Sequence, residues 1–121
     1  MLEWNERFGI RFMRLSSEMF PFASHAELVY TLEFAKPELF AAGRIAMKYG
    51  HRLTMHPVLF PPDPAFNVQG QFTQIASPKE NVVTASIRDL EYHAELMELL
   101  GLEGQTDRDA VMILHMGYFF M

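Results

Sequence analysis

The sequence predicts an α/β fold with parallel strands in the order β-α-β-α-β. Three strand-like segments, FGIRFMRLSS, RLTMHP and AVMILHMG, are separated by amphipathic helical stretches, the alternation that βαβ units require. Each segment also runs into a histidine at or just past its end: His25, His56 and His115 in turn. Right-handed crossovers place all the parallel strand C-termini on one rim. In α/β barrels and doubly wound sheets that rim carries the chemistry. Three imidazoles gathered there point to a metal site or a phosphate-handling site.

The elements follow in order. Leu2 to Arg7 reads as the tail of a helix ending at Gly9, and Ile10, Phe12 and Leu15 begin a first strand with Arg11 and Arg14 interspersed. Near-continuous apolar character of this kind fits a strand packed on both faces. A loop from Glu18 to about Tyr30 carries Pro21, Ser24 and His25. The next helix is expected from Pro37 to Tyr49, with proline in its first turn and Gly50 as its stop. Phe40, Gly43 and Met47 share one face of it, and Gly43 is expected to allow close approach to the sheet. Leu53 to His56 forms a short second strand.

Past a proline-rich stretch, Ser77-Pro78-Lys79-Glu80 has the form of a helix start, with Ser77 as cap and Glu80 completing a capping box. Val83, Ile87, Leu90, Ala94 and Met97 then recur at helical spacing and predict the buried stripe. Gly101 ends this helix, and Val111 to Leu114 is the third strand. A complete eight-stranded barrel takes about 250 residues, and three strands leave edges and apolar faces uncovered. The chain reads either as a small three-strand layer or, preferably, as a piece of a barrel.

Composition narrows the possibilities. At 121 residues there is room for one domain, spanning 1–121, and half the residues are hydrophobic, enough for a packed core. Cysteine is absent, which removes disulfides and thiolate metal sites and leaves His, Asp and Glu as ligands. No apolar run is long enough for a membrane span, so no membrane partner is expected. The net charge of −5 argues against a generic basic coat for nucleic acid. It does not argue against a nuclease, whose bound metal ions supply positive charge that side chains do not.

Taken together, WNERFGIRFMRLSSEMFPFASH, TLEFA, AGRIAMKYGHRLTMHP, GQFTQIASPKENVV, SIRDLEYHAELMELLGL and DAVMILHMG resemble the UV damage endonuclease family of DNA repair enzymes. The likeness covers most of the chain and keeps the family's segment order. It rests on the combination of RLTMHP, GQFTQIASP, RDLEYH and HMG, since any one alone would be weak. The resemblance implies a partial TIM-type β/α barrel and incision of DNA immediately 5′ of ultraviolet photoproducts by a divalent metal cluster. That cluster is expected to hold manganese, with zinc or magnesium as alternatives.

By the same resemblance His56 and His115 match metal ligands on the barrel rim, and His25 matches a further catalytic histidine. Gln71 and Phe72 match a glutamine–aromatic pair that enters the duplex and fills the gap left by the flipped-out dimer. The residue types suit the chemistry. Clustered divalent ions stabilise phosphate charge, activate water and assist the leaving oxygen. A photodimer stacks and pairs poorly, so extruding it costs less than extruding normal bases. The implied partner is UV-damaged double-stranded DNA, with no obligate protein partner, and the implied location is intracellular, in the nucleus or mitochondrion of a eukaryote.

Two departures from the family pattern accompany these matches. The family's His-Pro is followed directly by Gly-Gln-Phe, whereas here the segment from Val58 to Gln69 intervenes. Every valine codon begins with GT and one glutamine codon is CAG, so the segment is expected to be a frame-preserving unspliced intron in a eukaryotic, fungal-type gene. Sequencing the spliced transcript decides that point. After HMG the family continues with GVYGDK-like residues, which Tyr118 to Met121 do not match. Later strands of the family carry further acidic and histidine ligands, so this chain alone is expected to be a truncated, inactive or nearly inactive member.

Other readings stay open beside these. His25 could equally hydrogen-bond its own loop. His51, at the opposite end of its strand, reads as structural, and His93 as a solvated or helix-packing side chain. Arg11 and Arg14 could line a barrel, bind phosphate or form ion pairs, and Asp89, Glu91, Glu95 and Glu98 read as a solvated helix face. The alternative for the whole chain is an inactive α/β fragment binding neither metal nor DNA. A weaker one is another barrel hydrolase or isomerase.

Overall fold

The computed structural model describes residues 1–28, 30–57, 75–102 and 110–114. In chain order these form α1 (Leu2–Arg7), β1 (Phe12–Leu15), a 3-10 turn (Leu32–Ala35), α2 (Lys36–Tyr49), β2 (Arg52–Met55), α3 (Glu80–Leu99) and β3 (Ala110–Met112). The strands form one parallel sheet in the order β1-β2-β3, as the alternation of patterns predicts. In register, Phe12 lies opposite Arg52 and Met55 lies opposite both Leu15 and Met112.

The helix ends are made by a repeated device. At Gly50 the backbone is left-handed (φ 66), a conformation that costs glycine little. His51 N–H then reaches back to the Ala46 carbonyl (2.9 Å) and Gly50 N–H to that of Met47 (3.3 Å), the bond pair of a Schellman motif. The same pair closes α1 through Ile10 and Gly9, and α3 through Leu102 and Gly101. Each helix therefore ends in the same sharp turn.

One face of the sheet is packed. Leu15, Leu53 and Met55 join Leu39, Ala46, Leu96 and Leu100 in the core. By the two-residue pleat, Phe12, Arg14, Arg52 and Thr54 lie on the other face. There Phe12 and both arginines are exposed and Thr54 is buried.

Several details differ from the sequence expectation. The strands are shifted: β2 begins at Arg52 because Phe12 pairs with it, and β3 ends at Met112 because β2 ends at Met55, beyond which Pro57 has no N–H to give. In α2 the inward residues are Leu39, Gly43 and Ala46, while Phe40 and Met47 are each 51% exposed. Gly43 does allow a close approach, but to the backbone of Leu100 at the end of α3 and not to the sheet. The start of α3 is Glu80, with Lys79 as an extended N-cap residue and no side-chain cap. Ser77 Oγ instead accepts the N–H of Lys79 (3.2 Å) in the turn before the helix.

The buried stripe of α3 is Val82, Ala85, Ser86, Asp89, Tyr92, His93, Leu96 and Met97. Ile87 and Ala94 face outward. Asp89, expected on a solvated face, is 2% exposed. The cause is the loop between β1 and α2, which lies against this helix and supplies partners for its polar groups.

Candidate active-site rim

His56 lies one residue past β2, the central strand, at the C-terminal end of the sheet. Its position is fixed from both sides. On the β3 side, Ile113 N–H donates to the Met55 carbonyl (2.8 Å). On the β1 side, Ser17 Oγ donates to the His56 carbonyl (2.6 Å). The half-buried imidazole is followed by buried Pro57. His56 thus has the rim placement the sequence predicts, and because β2 and β3 are parallel their C-terminal ends share that rim. His115, Gln71 and Phe72 lie outside the described residues.

His25 sits in the loop after β1. Its Nδ1 accepts two backbone N–H groups, those of Glu27 (3.2 Å) and Leu28 (3.3 Å). The backbone N–H of His25 donates to the Phe22 carbonyl (3.0 Å), and the Phe22 ring meets the imidazole edge to face. Phe22 adopts a left-handed backbone (φ 62), which is uncommon and costly for a bulky residue. The loop-bonding reading of His25 is therefore realised in the geometry, whatever the other edge of the ring does.

What holds this loop is the polar side of α3. Ser24 Oγ donates to Asp89 Oδ1 (3.3 Å), and Arg88 Nε donates to the Ser24 carbonyl (3.4 Å). Tyr92 Oη accepts the N–H of Phe20 and donates to the carbonyl of Ser17, both at 3.3 Å. Glu95 Oε1 accepts the N–H of Leu32 (2.8 Å). Burial pushes the Tyr92 phenol up to about 12, so its proton stays in place through the neutral range. Arg88, Tyr92 and Glu95 follow the i, i+4, i+7 spacing of one helix face. Sequence reasoning missed them as a functional set. The available signal was RDLEY itself, whose polar residues fall at helical spacing inside an otherwise apolar stripe.

The remaining imidazoles are structural. His51 is buried and its Nε2 meets Glu6 Oε2 at 2.8 Å. That bond, with help from Arg11, holds the Glu6 carboxyl below its ordinary value. Arg11 accordingly acts as an ion-pair partner, 3.3 Å from Glu6. His93 is buried and packs within α3, with Nδ1 2.7 Å from the Asp89 carbonyl. An apolar cleft of about 320 Å³ opens between β1 and α2, lined by Leu15, Leu39, Ile45 and Leu53 among others. Among the described residues, Glu3 is the one charged side chain on its lining, and the rest are apolar.

As a metal ligand His56 fits in donor type and place, since neutral imidazole suits several divalent ions. Among the described residues, no three His, Asp or Glu side chains gather as a metal-holding set. No described helix is long and apolar enough to cross a membrane.

Comparison with known proteins places the chain in a family. The sequence profile of the UV-endonuclease UvdE family matches residues 1–120. The chain belongs to that family. It is 52% identical over 120 residues to the UV-damage endonuclease of Schizosaccharomyces pombe, covering 99% of this chain and 18% of that protein. To the UV-damage endonuclease of Neurospora crassa it is 58% identical over 118 residues, covering 97% of this chain and 16% of the relative. The chain thus spans less than a fifth of the length of either. The crystal structure of SacUVDE superimposes with a TM-score of 0.72 at 31% identity, covering 92% of this chain and 32% of that one. The fold is a partial TIM-type β/α barrel, as the resemblance implies.

Proposed function

We propose that this chain carries part of the catalytic rim of a metal-dependent DNA repair endonuclease that nicks the strand 5′ of ultraviolet photoproducts in double-stranded DNA. The observation that supports it most is the placement of His56 at the C-terminal end of the central parallel strand, in a chain of the UvdE family. His56 and His115 would hold divalent metal, by preference manganese, with zinc or magnesium as alternatives. When bound, such ions neutralise phosphate charge and lower the pKa of an attacking water. His56 would contribute its imidazole from a backbone tied on both sides, at the Met55 and His56 carbonyls. Gln71 and Phe72 would occupy the space vacated by an extruded dimer. The work is intracellular, in a nucleus or mitochondrion.

The test pairs calorimetry with a nicking assay. Mn²⁺ is titrated into the full chain and into His56→Ala, and both are incubated with ultraviolet-irradiated and undamaged supercoiled plasmid. Binding that is lost in His56→Ala, with preference for irradiated DNA, is the expected result. Incision by the chain alone is expected to be slight, because among the described residues no three His, Asp or Glu side chains gather as a metal-holding set. Absence of both Mn²⁺ binding and damage preference would favour the inert-fragment reading.

A further inference from the structure

We infer that the β1–α2 loop fixes His25 as the Nε2–H tautomer, so that this side chain offers a hydrogen-bond donor to an anionic oxygen and is neither a metal ligand nor a proton acceptor. A neutral imidazole has one N–H and one lone pair. The N–H groups of Glu27 and Leu28 can only donate, and both point at His25 Nδ1. The lone pair is therefore on Nδ1 and the hydrogen on Nε2. A metal ion bound at Nε2 would require the opposite tautomer, with Nδ1–H turned against two backbone donors. Metal-binding histidines show the reverse arrangement, in which the second nitrogen donates to an acceptor.

The loop is built to hold this choice. Phe22 takes up the costly left-handed conformation (φ 62) that lets its carbonyl accept the backbone N–H of His25. On the other side of His25, Tyr30 Oη donates to the Pro21 carbonyl (2.6 Å). Ser24 is tied to Asp89 and Arg88, and Ser17 and Phe20 to Tyr92. Strain retained in a segment with this many anchors marks a conformation the surroundings over-determine. Arg88, Asp89, Tyr92 and Glu95 are thus positioning residues for His25. The choice of anion rests on the endonuclease reading above, under which it is a non-bridging phosphate oxygen. The tautomer does not rest on that reading.

The same protein contains both reference states. His51 Nε2 faces the Glu6 carboxylate and must carry the hydrogen there, whereas His93 Nδ1 faces the Asp89 carbonyl and must carry it on Nδ1. Long-range proton–nitrogen correlation spectra of the full chain, taken above the ordinary imidazole pKa of about 6.5, separate the two patterns. His25 is assigned by its loss in His25→Gln. It is expected to match His51 and to oppose His93; a match to His93, or an average of the two, overturns the inference. Added Zn²⁺ is expected to perturb His56 and leave the His25 pattern unchanged, and coordination through His25 also overturns it. Zn²⁺ that perturbs neither counts against the metal-site reading while the His25 pattern still stands as measured.

Two substitutions test the donor role with an irradiated duplex oligonucleotide as probe. His25→Asn can keep an acceptor for the turn but has no donor at the ε position. His25→Gln places an amide N–H there and loses the turn acceptor. Loss of one hydrogen bond to a charged group corresponds to roughly tenfold weaker binding or more. That loss is expected for His25→Asn, with His25→Gln closer to the parent chain. Equal losses would make the residue a loop anchor alone. No duplex binding by the parent chain would sink the endonuclease reading, and the spectrum would still decide the tautomer.

Discussion

Replacing Gly43 by alanine is expected to destabilise the fold, against the usual effect of that change in a helix. Gly43 lies mid-way along α2 in ordinary helical backbone, where alanine is favoured by about 1 kcal/mol on propensity. The opposing cost comes from α3. A Cβ built on Gly43 overlaps the Leu100 carbonyl oxygen and lies 2.6 Å from its carbonyl carbon and 3.1 Å from its Cα. These atoms are backbone, and Leu100 is held by its N–H bond to the Leu96 carbonyl (3.1 Å). No side-chain rotation can relieve the overlap, so the helices must move apart. Overpacking costs about 1–3 kcal/mol and occasionally more, and a rigid backbone neighbour places this case at the upper end. Subtracting the propensity gain leaves a net loss of about 2 kcal/mol. For a domain of this size that is a fall of about 6–12 °C in Tm. Urea and thermal unfolding by circular dichroism measure it. Ala41→Gly, an exposed position on the same helix, is the control and should lose about 1 kcal/mol from propensity alone. A Gly43→Ala chain as stable as the parent, or more so, would refute the close contact of α2 with the end of α3.

Other outcomes follow from the same structure. Tyr92→Phe leaves the Phe20 N–H and Ser17 carbonyl without their shared partner and should cost about 1–3 kcal/mol, with faster amide exchange in residues 17–25. Because burial raises the Tyr92 phenol from 10.0 to about 12, its contribution is complete below pH 10 and is lost as pH rises toward 12. The alkaline limb of the stability profile should flatten in Tyr92→Phe. Glu6 behaves in the opposite sense: its carboxyl is lowered from 4.5, chiefly by the His51 hydrogen bond. Its contribution is present above pH 4.5 and lost as pH falls through the lowered value, so Glu6→Gln should remove that part of the acid transition in a pH-resolved urea series. Asp89→Ala removes the acceptor of Ser24 Oγ in a buried site and should cost about 1–3 kcal/mol, read as a lower urea midpoint.

The parts of the fold legible in the sequence are those set by local chemistry. Gly50 and Gly101 end their helices where expected because a left-handed residue is needed there. The parallel order follows because a helix between two strands leaves few other connections. What hydrophobic spacing could not reveal is which side of a helix meets a partner. In α2 the inward side is chosen by Leu39, Gly43 and Ala46, since small residues let α3 approach while Phe40 stays outside. In α3 the inward side includes Asp89 and His93, whose burial is tolerable only because a loop distant in sequence supplies Ser24 and because His93 bonds its own helix. The candidate site divides in the same way. The rim position of His56 follows from strand order, but the Glu27 and Leu28 N–H groups that donate to His25 Nδ1 depend on a turn through Phe22 that residue spacing does not encode.

The two described imidazoles of the site are thus fixed by different means, and the difference has consequences. His56 inherits its position from a strand hydrogen-bonded on both sides, and neither of its flanking ties, from Ser17 Oγ and Ile113 N–H, involves a helix side chain. His25 inherits its position from a loop whose anchors Arg88, Asp89, Tyr92 and Glu95 all belong to α3. Perturbing Arg88, Asp89 or Glu95 should therefore loosen His25 more than His56. Perturbing the β2–β3 ladder should do the reverse. Ser17 belongs to both systems, since its hydroxyl reaches the His56 carbonyl and its own carbonyl accepts from Tyr92. On the proposed reading, in which His25 donates to and His56 helps hold metal at one phosphate, Ser17 would couple the two groups directly.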